Sequence, residues 1–421
     1  MRRFLDVVQQ RAVFLWVLFS IPAVSTFGHY LAPNRPFFKG HDLGVLSALA
    51  LTLVAAILWV PFVRRRRWPT LTLVFLGTLG VAWIYQITRI QLDGSLFNLG
   101  AFGVPIALTA IAFKPVSRQD LYLAVTVFGY SLAVVSLLAL LLGEVGVTPS
   151  GFDVSDAGAD RTGLLSALGL ETRWGGPFGS VNYASPVGGV LVVLGATIRG
   201  LNRWVFLITG ILILTLGQGR TTVFALVLAG LVVVLFSERF RCLKHRIRWR
   251  IVIVAGVLIS LILYIILIDP TFNGRTPIWI DFYELFMTSP LVGVGETGVL
   301  EFVSNNVGEP GFVPHTHGHS VLLDGATRFG LIFALFTVGI YGIALTLGIR
   351  ALPTGGPGPL GISVFVIAAG SAETIHSWIY WSIYMVILVC AVLIASTPPD
   401  RARGTLGPQE TSLSSSRASS L

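Results

Sequence analysis

The chain has 421 residues, 54% hydrophobic and 12% charged, with a mean hydropathy of +0.80. A soluble domain carries roughly a quarter charged residues, so a soluble globular protein is excluded and no stretch is left for a separate soluble domain. The net charge of +9 sits in short loops between apolar runs, which reads as membrane orientation and not as nucleic-acid binding.

Apolar runs long enough to span a bilayer recur along the chain, and about twelve spans are predicted. They fall near 12–32, 43–63, 69–89, 96–113, 121–143, 183–198, 202–216, 221–237, 250–269, 319–349, 360–376 and 378–396. The first run has no small-residue cleavage site and reads as a retained span. The run at 319–349 is long enough to begin outside the bilayer. Basic residues recur in alternate connections: Arg2, Arg3 and Arg11, then Arg64 to Arg67, Lys114 and Arg118, and Arg199 and Arg203. Arg239, Arg241, Lys244, Arg246, Arg248 and Arg250 follow, then Arg401 and Arg403. The positive-inside rule makes that side cytoplasmic, with both termini on it.

The other side receives two long loops, about 144–182 and about 270–318. The expected architecture is all-α: a single polytopic transmembrane domain over 1–397, with the larger extracytoplasmic loop between spans 9 and 10. The Ser-, Pro- and Gly-rich tail over 398–421 reads as disordered and cytoplasmic. No repeat of 20–50 residues is visible. Cys242 lies in a basic loop and Cys390 in a late span, so no disulfide is expected.

Three arginines stand against the orientation bias: Arg173 in R-W-G-G-P-F-G-S-V-N-Y, Arg220 in L-G-Q-G-R-T-T and Arg275 in N-G-R-T-P-I-W. A guanidinium donates paired hydrogen bonds to phosphate oxygens, which suits a phosphate or diphosphate site. The alternative is interfacial anchoring by snorkelling. After Arg275, Thr276 and Pro277 are placed to open a helix. Ile278, Phe282, Leu285 and Phe286 then share one face, suited either to the membrane interface or to burial against a neighbour. S-P-L-V-G-V-G-E-T-G ends it as a turn-rich stretch.

The segment P-H-T-H-G-H-S carries His315, His317 and His319. Histidine is the side chain best placed to accept a proton near neutral pH. In a strand all three share a face; in a helix only His315 and His319 do. No Asp, Glu or Cys follows at a standard zinc spacing, so acid/base work and solvated loop histidines are the readings set against a metal. Ser320 has no hydrolase G-x-S-x-G context. Glu373 and His376, in G-S-A-E-T-I-H-S-W, put ionisable groups at the outer end of an apolar run, where they could orient a histidine, hold an arginine or form a structural ion pair with Arg328.

Taken together these motifs resemble the O-antigen ligase and O-antigen polymerase superfamily of bacterial membrane glycosyltransferases. Its R-x-x-G-x-F-G-x-x-N pattern is met by Arg173, Gly176, Phe178, Gly179 and Asn182. Its second arginine, in a small-residue turn, is met by Arg220 after Gln218 and Gly219. Its R-x-x-x-W and P-L-x-G-x-G are met by Arg275, Trp279, Pro290, Leu291, Gly293 and Gly295. Its H-N-x-x-L and later glycine are met by His319, Leu323 and Gly330, with His317 the alternative histidine. Two positions depart: Ser320 replaces the usual Asn, and Arg328 stands where an acidic residue is common.

The resemblance implies a GT-C-like all-α fold and a donor glycan carried on a polyprenyl diphosphate such as undecaprenyl diphosphate. It implies that Arg173, Arg220 and Arg275 bind the diphosphate and that His319, or His317, activates the acceptor hydroxyl, with Asn182, Glu373 and His376 in support. No cofactor or metal is implied. The product would be a cell-envelope polysaccharide, as in lipopolysaccharide synthesis, made at the outer face of the cytoplasmic (inner) membrane. The partners would be a lipid-linked glycan donor, a glycan or glycolipid acceptor and membrane lipids. The rival classes are a transporter or flippase of lipid-linked glycans, which should show repeated halves, and a zinc-binding sensor using the histidines.

Overall fold

A computed structural model describes residues 68–92, 117–144, 181–198, 200–217, 219–237, 275–307, 317–372 and 382–397, with isolated positions between them. Ten helices are described: α1 (Thr70–Leu92), α2 (Arg118–Glu144), α3 (Val181–Thr197), α4 (Leu201–Gly217), α5 (Arg220–Leu235), α6 (Arg275–Thr288), α7 (Gly295–Asn306), α8 (Val321–Gly355), α9 (Gly358–Ala372) and α10 (Ile383–Ser396). A two-residue antiparallel ladder joins β1 (Phe152–Asp153) to β2 (Arg173–Trp174), with Asp153 opposite Arg173. The expected all-α class therefore holds among the described residues, apart from this short ladder.

Three stretches, Thr70–Ile90, Arg118–Leu142 and Val321–Pro353, are long and apolar enough to cross a membrane; α4, α5, α10 and most of α3 and α9 are shorter apolar helices. Their outer faces are apolar too. Trp204, Ile208 and Ile211 make an exposed stripe on α4, and Leu331, Leu335 and Val338 make another on α8. Contiguous exposed apolar surface of this kind belongs against lipid and not water. The spans expected at 12–32 and 43–63, most of those at 96–113 and 250–269, and the tail 398–421 lie outside the described residues.

The helices alternate in direction, and their end contacts give the bundle two ends. At the base, Thr72 Oγ1 near the start of α1 donates to Ser396 Oγ at the end of α10 (2.6 Å). At the rim, Tyr85 Oη near the end of α1 donates to the Phe329 carbonyl (2.6 Å). Beyond that contact α8 runs from rim to base, and Gly348 packs on Leu360, so α9 starts at the base. Gly358 at the start of α9 meets Thr197 at the end of α3, which places that end of α3 at the base too. Helices α3 and α4 form an antiparallel pair in which Gly188 abuts Gly210 and Leu214, and Ser185 abuts Gly217. Small residues let two apolar helices approach closely, as in membrane bundles. Val233 near the end of α5 packs on Gly361, so α5 runs from rim to base. The starts of α3, α5 and α8 therefore share the rim.

Helix α8 is not one rod. At Gly330 the backbone takes φ 78° and ψ −176°, and the helix breaks into a short segment from Val321 and a long one from Leu331. An unbroken helix would close Leu331 N–H onto the Thr327 carbonyl. Here Leu331 N–H donates to the Pro290 carbonyl (2.8 Å) and Thr327 O accepts from Val294 N–H (2.8 Å). The Pro290–Val294 loop thus replaces the bonds that the kink removes, as buried backbone groups require. The run expected at 319–349 is thus one long apolar helix, Val321–Gly355, divided at Gly330 into a short first segment at the rim and a long second one.

Candidate functional site at the rim

The rim cluster is built by α6, α7 and the start of α8. Helix α6 begins at Arg275 itself, so Thr276 is not its cap and Pro277 sits inside its first turn, where a missing N–H costs nothing. Its Ile278, Phe282 and Leu285 are buried together with Val299 of α7, packed against Leu323 of α8. Of the two readings of this face, burial holds. The exposed apolar side chains are Ile280, Tyr283 and Met287 on the opposite side. Thr327 Oγ1 donates to the Phe282 carbonyl (2.9 Å), tying α6 to α8. The stretch expected as only turn-rich also contains α7, whose start at Gly295 has φ 81°.

His317 and His319 lie in the segment that leads into α8, neither strand nor helix. His319 has φ 46°, a left-handed backbone that few residues other than glycine adopt. Ser320 follows as N-cap, its hydroxyl accepting from Leu323 N–H. That is the role an Asn at this position would also fill. Gly318 packs against the Phe282 ring, with no room for a side chain. Its N–H donates to Asp324 Oδ1 (2.9 Å), which fixes the peptide between the two histidines.

Asp324 Oδ2 accepts from Arg328 Nε (3.2 Å), a pair one helical turn apart. Arg328 Nη1 also pairs with Glu296 Oε2 from α7. Its Nη2 stands 3.4 Å from His317 Nδ1. Asp324 and Arg328 are each only 5% exposed, so this cation and carboxyl leave water together, while the Glu296 side chain stays partly open to solvent. Packing around the His317 ring, with a smaller contribution from His319, holds its pKa below the usual imidazole value. The ring keeps one open side, since His317 is exposed overall. Among the described residues Arg328 pairs with Glu296 and Asp324; Glu373, also considered as its partner, lies outside them. Asp324 and Arg328 carry a signal in the sequence, D-x-x-x-R at one helical turn; Glu296 carries none.

A second group of the expected residues gathers at the start of α3 and α5. Arg220 is the first residue of α5 and is exposed. The turn before it is pinned: Gly219 N–H donates to Ser185 Oγ (3.0 Å), and a Cβ on Gly219 would meet that oxygen at 2.1 Å. Ser185 lies one turn after Asn182 on α3. Ladder strand β2, which carries Arg173, packs against α3 and α4, with Trp174 buried. The start of α5, and with it Arg220, is thus tied to α3 one turn after Asn182, the histidine segment packs on α6 at Phe282, two turns after Arg275, and α3, α5 and α8 all start at the rim. The side chains of Arg173, Asn182 and Arg275, and the whole of His315, Glu373 and His376, lie outside the described residues. Cys390 is a buried free thiol in α10.

Among the described residues no group of three or more His, Cys, Asp or Glu is arranged to hold a metal ion. The chemistry at hand is that of cationic donors and imidazoles. No protein-family model matches the chain, and no curated protein sequence matches it.

Proposed function

We propose that the chain is a polytopic membrane glycosyltransferase of about twelve spans, which moves a glycan from a polyprenyl diphosphate to an acceptor hydroxyl at the outer face of the cytoplasmic membrane. It is ligase-like or polymerase-like and needs neither metal nor cofactor. The observation that carries this reading is the shared rim. Arg220 opens α5 and the histidines lead into α8 at the same end of the bundle. Arg203, near the start of α4, lies at the opposite base, in keeping with a cytoplasmic base.

In this reading a histidine, His319 first and His317 second, takes the acceptor proton as the hydroxyl attacks the anomeric carbon. Arg173, Arg220 and Arg275 hold the diphosphate and stabilise the negative charge that grows on it as the glycosidic bond breaks. Direct displacement inverts the anomeric centre. The test is reconstitution of the full chain with a lipid-linked glycan and candidate acceptors. Arg220→Ala should lower transfer by about 100-fold, and Arg220→Lys should not restore it, because a paired planar donor is lost. His319→Ala should lower transfer by about 100- to 10,000-fold. Undiminished transfer in both His319→Ala and His317→Ala would remove the proposed base.

A further inference from the structure

We propose that Arg328 is a positioning residue: through its contact with Nδ1 it holds His317 neutral with the proton on Nε2, so that His317 serves as a hydrogen-bond donor and the basic role falls to His319. The role given to His317 rests on the transferase reading above; the state of its ring does not.

A guanidinium has five donors and no acceptor. Where Arg328 Nη2 faces His317 Nδ1 at 3.4 Å, Nδ1 must therefore present its lone pair. A neutral imidazole with its lone pair at Nδ1 carries its proton on Nε2, the nitrogen on the far side of the ring. Arg328 itself cannot swing away. Asp324 holds Nε from within the same helix, Glu296 holds Nη1 from α7, and the side chain is buried. Asp324 in turn accepts from Gly318 N–H (2.9 Å), the peptide next to His317. One arginine thus joins α7, α8 and the histidine segment, and fixes both the place and the proton of one ring. Among the described residues, the charged and titratable groups around that ring are Arg328, Asp324, Glu296 and His319. The two carboxylates are engaged by the guanidinium, and the net effect of burial and His319 is to disfavour the imidazolium.

The consequence is a division of labour. A ring with Nδ1 capped and Nε2 protonated is a poor base and a good donor. It can hold an acceptor or departing oxygen, while His319 removes the proton. This also gives a physical reason for a cation at position 328, where an acidic residue would hold the same ring as its Nδ1–H form.

The experiment is 15N spectroscopy of histidine-labelled full-length protein in lipid nanodiscs, with the His317 signals assigned by their loss in His317→Gln. The expected result is a neutral Nε2–H ring near pH 7. Arg328→Lys, which keeps the charge but not the fork, should convert it to a mixture of the two neutral forms. An Nδ1–H ring or an imidazolium in the wild type overturns the proposal without any variant, as does an Arg328→Lys spectrum identical to wild type. Transfer assays add a second readout. His317→Gln keeps an amide donor near the Nε2 position and should retain transfer within about 10-fold of wild type, while His317→Asn and His317→Ala fall to about 1%. Equal losses in Gln and Asn would overturn the donor role. If the Nε2–H ring and its dependence on Arg328 are found while no lipid-linked glycan is transferred, the transferase reading fails and the positioning by Arg328 stands. Transfer by an enzyme whose His317 is Nδ1–H separates them the other way.

Discussion

At the scale of single residues, His317 couples the site to stability. Its folded pKa lies below the ordinary imidazole value of about 6.5, first through desolvation and second through His319. The unfolded chain therefore binds the proton more readily than the fold does. As pH falls through about 6.5 the unfolded state gains protons first, and stability drops with it; at higher pH the imidazole is neutral in both states and the effect vanishes. Thermal unfolding of the wild type and of His317→Gln, compared at about pH 7.5 and about pH 5.5, should show a smaller loss on acidification in the variant. An equal loss in both proteins would mean that His317 is not desolvated. Much of this site was legible as residue types: histidines, arginines and their order pointed to the rim. Arg328 and Glu296 were not, because their meaning comes from a contact between residues thirty-two positions apart. No local spacing predicts it. Ser320 was legible only as a departure from a motif, and its capping role emerges from the backbone geometry.

At the scale of elements, the kink at Gly330 organises the rim. Gly330 has φ 78°, and a Cβ there would stand 2.2 Å from the Leu291 carbonyl oxygen. Gly293, at φ 73°, would drive a Cβ to 2.3 Å from the Arg328 carbonyl carbon. The two glycines face each other across the loop-to-helix seam. Gly330→Ala should destabilise the fold by about 2–3 kcal/mol, combining the left-handed backbone with overpacking. Gly342→Ala in the same helix, with nothing within 4 Å of the new carbon, should be neutral or stabilising by about 0.5 kcal/mol. Tyr85→Phe, which strips the phenol from the Phe329 carbonyl, should cost about 1 kcal/mol. Unfolding in detergent measures all three, and a Gly330→Ala protein as stable as Gly342→Ala would remove the kink from its organising place. The positions of most described apolar helices could be read from hydropathy within a few residues, because long apolar runs carry that signal directly. The break in α8 could not, since the step from D-G-A-T-R-F into the apolar run after Gly330 reads as the edge of a span and not as a kink. The glycine pattern around Pro290 and Leu291 was visible as a motif, but it concealed α7, because glycine-rich spacing reads as turn whether or not a helix follows.

At the scale of the whole molecule, the proposed function requires that the rim meet the bilayer, so that a lipid-borne substrate can reach it. The apolar stripe Leu331, Leu335 and Val338 on α8 continues upward onto the Pro290 loop, because Leu331 N–H is bonded to Pro290 O. Leu291 is 65% exposed there, an unfavourable place for a leucine in water, since full burial of such a side chain gains about 1.5–3 kcal/mol. Across the same cluster α7 turns Glu301, Ser304 and Asn305 outward. The rim therefore has an apolar shoulder at Leu291 and a more polar one on α7, where Leu300 is exposed beside Glu301, Ser304 and Asn305, with the Arg328 network between them. A nitroxide attached at Leu291→Cys, on a Cys242→Ser background with Cys390 left buried, should collide readily with oxygen and poorly with a water-soluble nickel chelate in reconstituted bilayers. The same label at Ser304→Cys should show the reverse. Leu291→Glu should fold, since the site is open, yet slow transfer of a long-chain lipid-linked donor more than that of a short-chain water-soluble analogue. The shoulder would then act on the lipid and not on the chemistry. Equal chelate access at positions 291 and 304 would place the loop clear of the membrane, and the substrate would have to climb to a site that nothing here helps it reach.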